Sequence, residues 1–333
     1  MTQVTKVEAA EIKNKEADTS VKKNSIFTLS SSPHIRSNST IQSIMRDVTI
    51  ALVPATLAGI YFFKLQAFLV ILVSILSCVA SEFVWQKYTG RKVTVGDYSA
   101  VVTGLLLAFN VPPSLPLWMV AIGGVFAVIV VKQLFGGLGQ NIVNPALAAR
   151  AFLLASWPVA MTTWTIDGIT GATPLGILKN EPGALPSLSS VFLGHIGGSI
   201  GETSAIALII GAAYLLYKRI ITWHIPVTYI GTVLVLTTVI GRQGFMTGNG
   251  LYEIFTGGLM LGAFFMATDY TTSPMTTKGQ IIFGFGCGLL STVIRIFGGY
   301  PEGVSYSILI MNLAVPLIDK YTAPRVFGTQ GVK

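Results

Sequence analysis

Residues 67–80 read AFLVILVSILSCVA and residues 120–131 read VAIGGVFAVIVV. Both stretches are apolar on every side. A strand of a membrane barrel alternates apolar and polar residues with a period of two, so an unbroken run of this kind predicts a helix surrounded by lipid or by other helices. Outward from these two stretches, apolar blocks of about 13 to 21 residues recur between short polar breaks, the scale on which a helix crosses roughly 30 Å of hydrocarbon. The predicted spans are 47–63, 67–85, 98–111, 117–131 and 145–157, then 203–217, 223–240, 253–267, 279–297 and 304–318. The composition agrees: 52% of the 333 residues are hydrophobic and 11% charged, too apolar for a soluble globule.

The ten spans divide into two sets of five. The third and fifth of each set are short, and the fourth runs into a matching break, Phe135-Gly136-Gly137 and Phe297-Gly298-Gly299. This is a candidate internal repeat. An odd number of spans per unit makes the second copy enter from the opposite side, an inverted repeat of the kind found in transporters, whose central sites lie at short, broken helices. The expected fold is therefore an all-α membrane protein of about ten transmembrane helices. Its parts are a cytoplasmic tail over 1–46, a first five-helix repeat over 47–157, an external loop over 158–202, a second repeat over 203–318 and a cytoplasmic tail over 319–333.

Net charge is +8. Nucleic acid is not the expected partner, because Lys and Arg in a membrane protein set its orientation. With the N-terminus inside, segments facing the cytoplasm hold 17 Lys and Arg, whereas the outer loops hold only Lys64, Lys179 and Arg242, and Arg150 and Arg295 fall within spans. Both termini are expected in the cytoplasm of a multi-pass inner-membrane protein, with the lipid bilayer as a partner. The first 46 residues lack an apolar core and a small-residue cleavage site, and read as a tail rather than a secretory signal. Cys78 and Cys287 sit in apolar blocks as small hydrophobes, and two thiolates fall short of the four ligands of a conventional iron–sulfur cluster. His34, His195 and His224 show no metal-binding spacing, so no metal site is expected.

The external loop carries Asp167-Gly168-Ile169-Thr170-Gly171-Ala172-Thr173-Pro174-Leu175. Its glycines allow close approach of a bulky group, and Thr173 offers a hydroxyl ahead of a rigid Pro, on what is expected to be an exposed segment. Within the spans, charged groups cost at least about 2.5 to 3.5 kcal/mol and are candidates for function. Arg150 either holds an anion, such as a reduced flavin or a phosphate, or pairs structurally with Glu202 or Asp269. Arg295, near a span end, is expected to snorkel to the interface. Asp269 is a cation ligand, a flavin contact or a helix cap. Trp157, Trp164 and Tyr300 either stack on a planar ligand or belong to the interfacial aromatic belt.

The loop motif resembles a known pattern, an Asp ahead of a Ser/Thr-Gly-Ala-Ser/Thr run at which a flavin transferase attaches FMN through its phosphate to the last Thr. It is similar to that of the family containing the D subunits of Rnf-type complexes and the B subunits of the sodium-pumping NADH:quinone oxidoreductase. The resemblance extends to GGLGQN at 136–141, NPALAARAF at 144–152, ATD at 267–269, TSP at 272–274 and GGYPEGVSY at 298–306. Tyr270 and Thr271 stand where many relatives are expected to have Pro and Val, which predicts a differently shaped loop. The length and short tail resemble the D branch more than the B branch.

The resemblance implies a urea-transporter-like fold and covalent FMN as a phosphoester on Thr173, with Asp167, Thr170, Gly171 and Ala172 as its motif. Asn144, Arg150 and Asp269 are further cofactor-binding candidates, and the resemblance implies a second, non-covalent flavin such as riboflavin. The partners it implies are the A, B, C, E and G subunits, the flavin-carrying G subunit above all. The expected activity is electron carriage in a complex coupling ferredoxin:NAD electron transfer to Na⁺ or H⁺ translocation, with no complete active site in this chain. The rival reading is a channel or transporter of the same fold without redox chemistry.

Overall fold

The structure, a computed structural model, describes residues 39–166, 169–180, 185–194, 196–241, 244–246 and 248–324. The N-terminal unit, Met1–Thr40, has no helix or strand among its described residues, and every element described lies in the unit Ile41–Lys333.

In chain order the first elements are α1 (Ile41–Tyr88), α2 (Ser99–Phe109), α3 (Leu117–Val125) running into a π-helical stretch (Phe126–Gln133), and α4 (Pro145–Ser156). The segment after α4 is built of short pieces: α5 (Pro158–Thr162), the antiparallel pair β1 (Thr165–Ile166) and β2 (Ile169–Thr170), α6 (Pro174–Asn180), α7 (Leu188–Leu193) and a 3₁₀ turn (Ile200–Glu202). Then come α8 (Ala205–Tyr217), α9 (His224–Val239), the pair β3 (Ile240–Gly241) and β4 (Gly244–Phe245), α10 (Gly250–Phe255), and α11 (Leu259–Leu261) with a π-helical stretch (Gly262–Met266). Last are α12 (Thr277–Phe297) and α13 (Val304–Thr322).

The first two predicted spans are the two arms of α1, which meet at Lys64, where φ is 52° and ψ −134°. Among the described residues, only α1 and α12 are long and apolar enough to cross a bilayer; the helices at 99–109, 117–133, 145–156, 205–217 and 224–239 are apolar but shorter. The predicted span at 253–267 is not one helix. Gly257, at φ +67°, and Gly258 separate α10 from α11, and the left-handed backbone there ends the first helix. The Asn144 side chain opens α4 by accepting from the Ala146 and Leu147 amides (3.1 and 3.3 Å), and Pro145 at the first helical position lacks only a donor that would be orphaned anyway.

Glycines let helices approach backbone to backbone. A Cβ at Gly104 of α2 would lie 2.7 Å from the Ile75 Cα of α1. The main apolar core joins α1, α2, α4, α8, α9, the α11 region, α12 and α13. Cys78 and Cys287 are fully buried within it or beside it.

Candidate functional site

Thr173 begins the site. β1 and β2 pair Thr165 with Thr170 and Ile166 with Ile169, the Gly171 amide donates to the Trp164 carbonyl (3.0 Å), and the chain then enters α6 at Pro174. Asp167, in the turn of this hairpin, lies outside the described residues, and of Thr170 only the backbone is described. Thr173 is not on an exposed surface, as the sequence suggested. It is 5% exposed, its Oγ1 accepts from the Gly176 amide (3.1 Å), and it caps the first turn of α6. The segment folds back on the helices instead of standing clear: Lys179 Nζ donates to the backbone carbonyls of Gly298 and Tyr300, which tie α6 to the loop before α13.

Between that loop, α4 and the motif lies a cavity of about 210 Å³. Gly171, Ala172 and Thr173 line one side; Trp164, Tyr300 and Tyr306 supply aromatic surface; Arg150 and Glu302 supply charge. Of the three aromatics singled out from sequence, Trp164 and Tyr300 are here. Trp157 packs edge-on against Trp118 and Phe152 instead.

Arg150 is buried and held by three side chains. Its Nη1 donates to Ser305 Oγ (2.6 Å) and Asn110 Oδ1 (3.4 Å), and its Nη2 forms an ion pair with Glu302 Oε2. The carboxylate partner is therefore Glu302, which the sequence reading did not single out, and neither Glu202 nor Asp269 forms an ion pair with it. Glu202 still lies close enough to act on Arg150 electrostatically. The ion pair joins α4 in the first half of the chain to the start of α13 in the second. Glu302 Oε1 is buried and meets no hydrogen-bond donor among the described residues.

Asn144 and Asp269 belong to another place. They line a second cavity of about 90 Å³ with Ser99, Thr103, Lys132, Asn141 and Thr271. Asn144 Nδ2 donates to the Met266 carbonyl (3.4 Å), so this residue caps α4 and ties it to the second π-helical stretch. Asp269 caps no helix. Its Oδ2 accepts from the hydroxyls of Thr271 (2.9 Å) and Thr272 (3.3 Å), and Thr271 Oγ1 in turn accepts from Asn141 Nδ2 (2.9 Å). A Val at 271 would remove both bonds. Both π-helical stretches border this cavity, through Lys132 in one and Phe264 and Phe265 in the other. Such stretches recur at functional sites. Asn144 and Arg150 are six residues apart on α4, so a rise of about 9 Å separates the residues facing the two cavities.

Two further cations are buried and paired. Lys132 meets Glu82 Oε1 (2.9 Å) and Ser99 Oγ (2.6 Å). Arg295 does not snorkel: fully buried, it donates to Glu253 Oε2 (3.2 Å) and to the carbonyls of Glu253 (2.7 Å) and Thr256 (3.3 Å). Its place at the end of α12 suggested an interface, but the broken turn at Thr256–Gly257–Gly258 covers that end and supplies carbonyls for it.

These features define a mostly helical membrane protein with buried ion pairs and a cavity at the foot of a Thr-Gly-Ala-Thr loop. The chain belongs to the NQR2, RnfD, RnfE family, which it matches over residues 28–328. It is 51% identical to the D subunit of the Na⁺-translocating ferredoxin:NAD⁺ oxidoreductase complex of Acetobacterium woodii, over 92% of this chain and 97% of that one. It is 49% identical to the D subunit of the proton-translocating ferredoxin:NAD⁺ oxidoreductase complex of Clostridium ljungdahlii, over 94% and 99%. The D subunit of the ion-translocating oxidoreductase complex of Stutzerimonas stutzeri is 38% identical over 87% and 93%.

Proposed function

We propose that the chain is the D subunit of an Rnf-type complex, a membrane electron carrier holding FMN as a phosphoester on Thr173. The complex would couple ferredoxin:NAD electron transfer to export of Na⁺ or H⁺. The observation that carries this reading is that Thr173 opens on a cavity lined by aromatic faces and one buried guanidinium. The residues fit the group. Thr173 Oγ1 is the attachment atom, Trp164, Tyr300 and Tyr306 offer flat apolar surface to a planar ring system, and Arg150 offers positive charge held in place by Ser305 and Glu302. FMN, when bound, supplies one- and two-electron redox chemistry, while the protein supplies placement and electrostatics. Riboflavin, as a second and non-covalent flavin, rests on the family resemblance alone.

The wider reading has support of its own. Corresponding helices pack alike in the two halves: a Cβ at Gly124 of α3 would meet Ser77 Oγ at 2.1 Å, and one at Gly284 of α12 would meet Thr228 Oγ1 at 2.0 Å. Each of these fourth helices also buries a paired cation just ahead of its Phe-Gly-Gly break, Lys132 and Arg295. Two inverted five-helix repeats with the urea-transporter-like fold account for both features. Included in the proposal are the domain limits read from sequence, cytoplasmic termini in the inner membrane and assembly with the A, B, C, E and G subunits. The relatives named for Na⁺ and for protons are almost equally similar, so overall identity leaves the coupling ion open.

The test is mass spectrometry of the peptide containing Thr173, from cells that also make the transferase. An FMN adduct is expected in the wild type and none in Thr173→Ala, a substitution that costs about 1 kcal/mol through the lost cap on α6. A wild-type peptide without flavin would favour the non-redox channel or transporter.

A further inference from the structure

The cavity beside Thr173 is lined by one cation and one carboxylate, Arg150 and Glu302, and a second carboxylate, Glu202, lies outside the lining within electrostatic reach of both. Arg150 pairs with Glu302 and also acts on Glu202. Glu202 is 5% exposed, and the Glu302 side chain is 10% exposed. Each has an oxygen, Oε1 in both cases, that is buried and meets no donor among the described residues. Glu202 has no room to turn away: a Cβ at Gly258 would lie 3.0 Å from its Oε1, and one at Gly198 would lie 3.3 Å from its Oε2. One guanidinium compensates one buried carboxylate, and a second left charged in such a place is costly.

We propose that Glu202 is a redox-linked proton acceptor, taking one proton when one electron enters the adjoining cavity and releasing it when the electron leaves. The inference rests on the flavin reading of that cavity. In the step, a carboxylate O–H bond forms with a proton drawn from water. The electron comes from a reduced flavin or iron–sulfur cluster elsewhere in the complex. On oxidation the O–H bond breaks and the proton returns to water. Arg150 is the link: negative charge arriving on the cavity side competes for the guanidinium, and its hold on the two carboxylates weakens. The charged groups acting on Glu202 are Glu302 and Arg150. Of the helices packed on its turn, α2 and α11 carry no ionisable side chain, and α1 carries Arg46, Asp47, Tyr61, Lys64, Cys78, Glu82, Lys87 and Tyr88, none of which is among the groups acting on Glu202. Tyr300 and Tyr306 are the other titratable groups lining the cavity. Burial first, and the Glu302 carboxylate second, push Glu202 up to about 7 against the pull of Arg150. Small changes in local charge therefore switch its protonation near neutral pH.

The test is reduced-minus-oxidised infrared difference spectroscopy of the purified complex with dithionite as reductant, in H₂O and D₂O. The complex should gain, on reduction, a carboxylic-acid C=O band that shifts in D₂O. The band should vanish in Glu202→Gln, a near-isosteric change, and in Thr173→Ala, which removes the flavin. The flavin midpoint potential should also fall with rising pH more steeply in the wild type than in Glu202→Gln. A flavin-loaded complex with no such band, or with the band intact in Glu202→Gln, overturns the proposal and leaves the flavin reading standing. Absence of FMN from Thr173 by mass spectrometry defeats both.

Discussion

Arg150 shows why a buried charge is read from sequence more easily than its partner. An arginine inside an apolar block is visible at once, because its cost there demands compensation. Glu302, its partner, lies 152 residues away, and nothing local links the two. The same holds for Lys132 with Glu82 and for Arg295 with Glu253. The pairing changes what substitution should do. Arg150→Met alone leaves Glu302 charged and buried, at a cost of about 3 to 5 kcal/mol, so reduced yield of assembled complex is expected. The double variant Arg150→Met/Glu302→Gln removes both charges and should recover assembly. In it the flavin should show a midpoint potential lower by about 60 mV or more, the tenfold one-electron change expected from losing a charged hydrogen-bond partner of the reduced form. Redox titration of the assembled double variant checks this, and an unchanged potential would leave Arg150 a structural role only.

At the scale of elements, helices were legible where apolar runs are long and bounded, as in α1, α9 and α12. The limits of legibility are physical. Hydropathy shows that a segment is buried but not whether its backbone is continuous, so 253–267 read as one span while Gly257 and Gly258 break it. A loop rich in Gly, Thr and Pro read as exposed, yet its segment docks through Lys179 and buries Thr173, because the carbonyls that receive Lys179 lie far along the chain. The break in α1 was legible as Lys64 between two blocks, but its conformation was not. A Lys at φ 52° and ψ −134° occupies backbone space that glycine fills without penalty. Lys64→Gly should therefore raise thermal stability by about 1 kcal/mol, read as a higher midpoint for the purified protein in detergent. A lower midpoint would mean that the Lys64 side chain contributes more than its backbone costs.

Across the whole molecule, the orientation decides whether the Thr173 cavity faces the side on which the family's flavin transferase is expected to act. The proposed orientation rests on cations, and the structure sharpens which of them count. Lys132 is buried against Glu82, so it reports an internal pair rather than a loop. Its removal from the 17 inward cations still leaves the outer loops, with Lys64, Lys179 and Arg242, far behind. Lys179 is itself engaged by backbone carbonyls, which makes it a poor labelling position. Ser189, exposed on α7 in the same segment, and Lys92, exposed after α1, are better ones. The native cysteines, Cys78 and Cys287, are fully buried and can be replaced by Ala or Ser to give a clean background. With single cysteines at these positions, an impermeant thiol reagent added to intact cells should label Ser189→Cys strongly and Lys92→Cys only after the membrane is opened. The reverse pattern would invert the protein. The Thr173 cavity would then face the cytoplasm, and the route by which FMN reaches it would have to be drawn again.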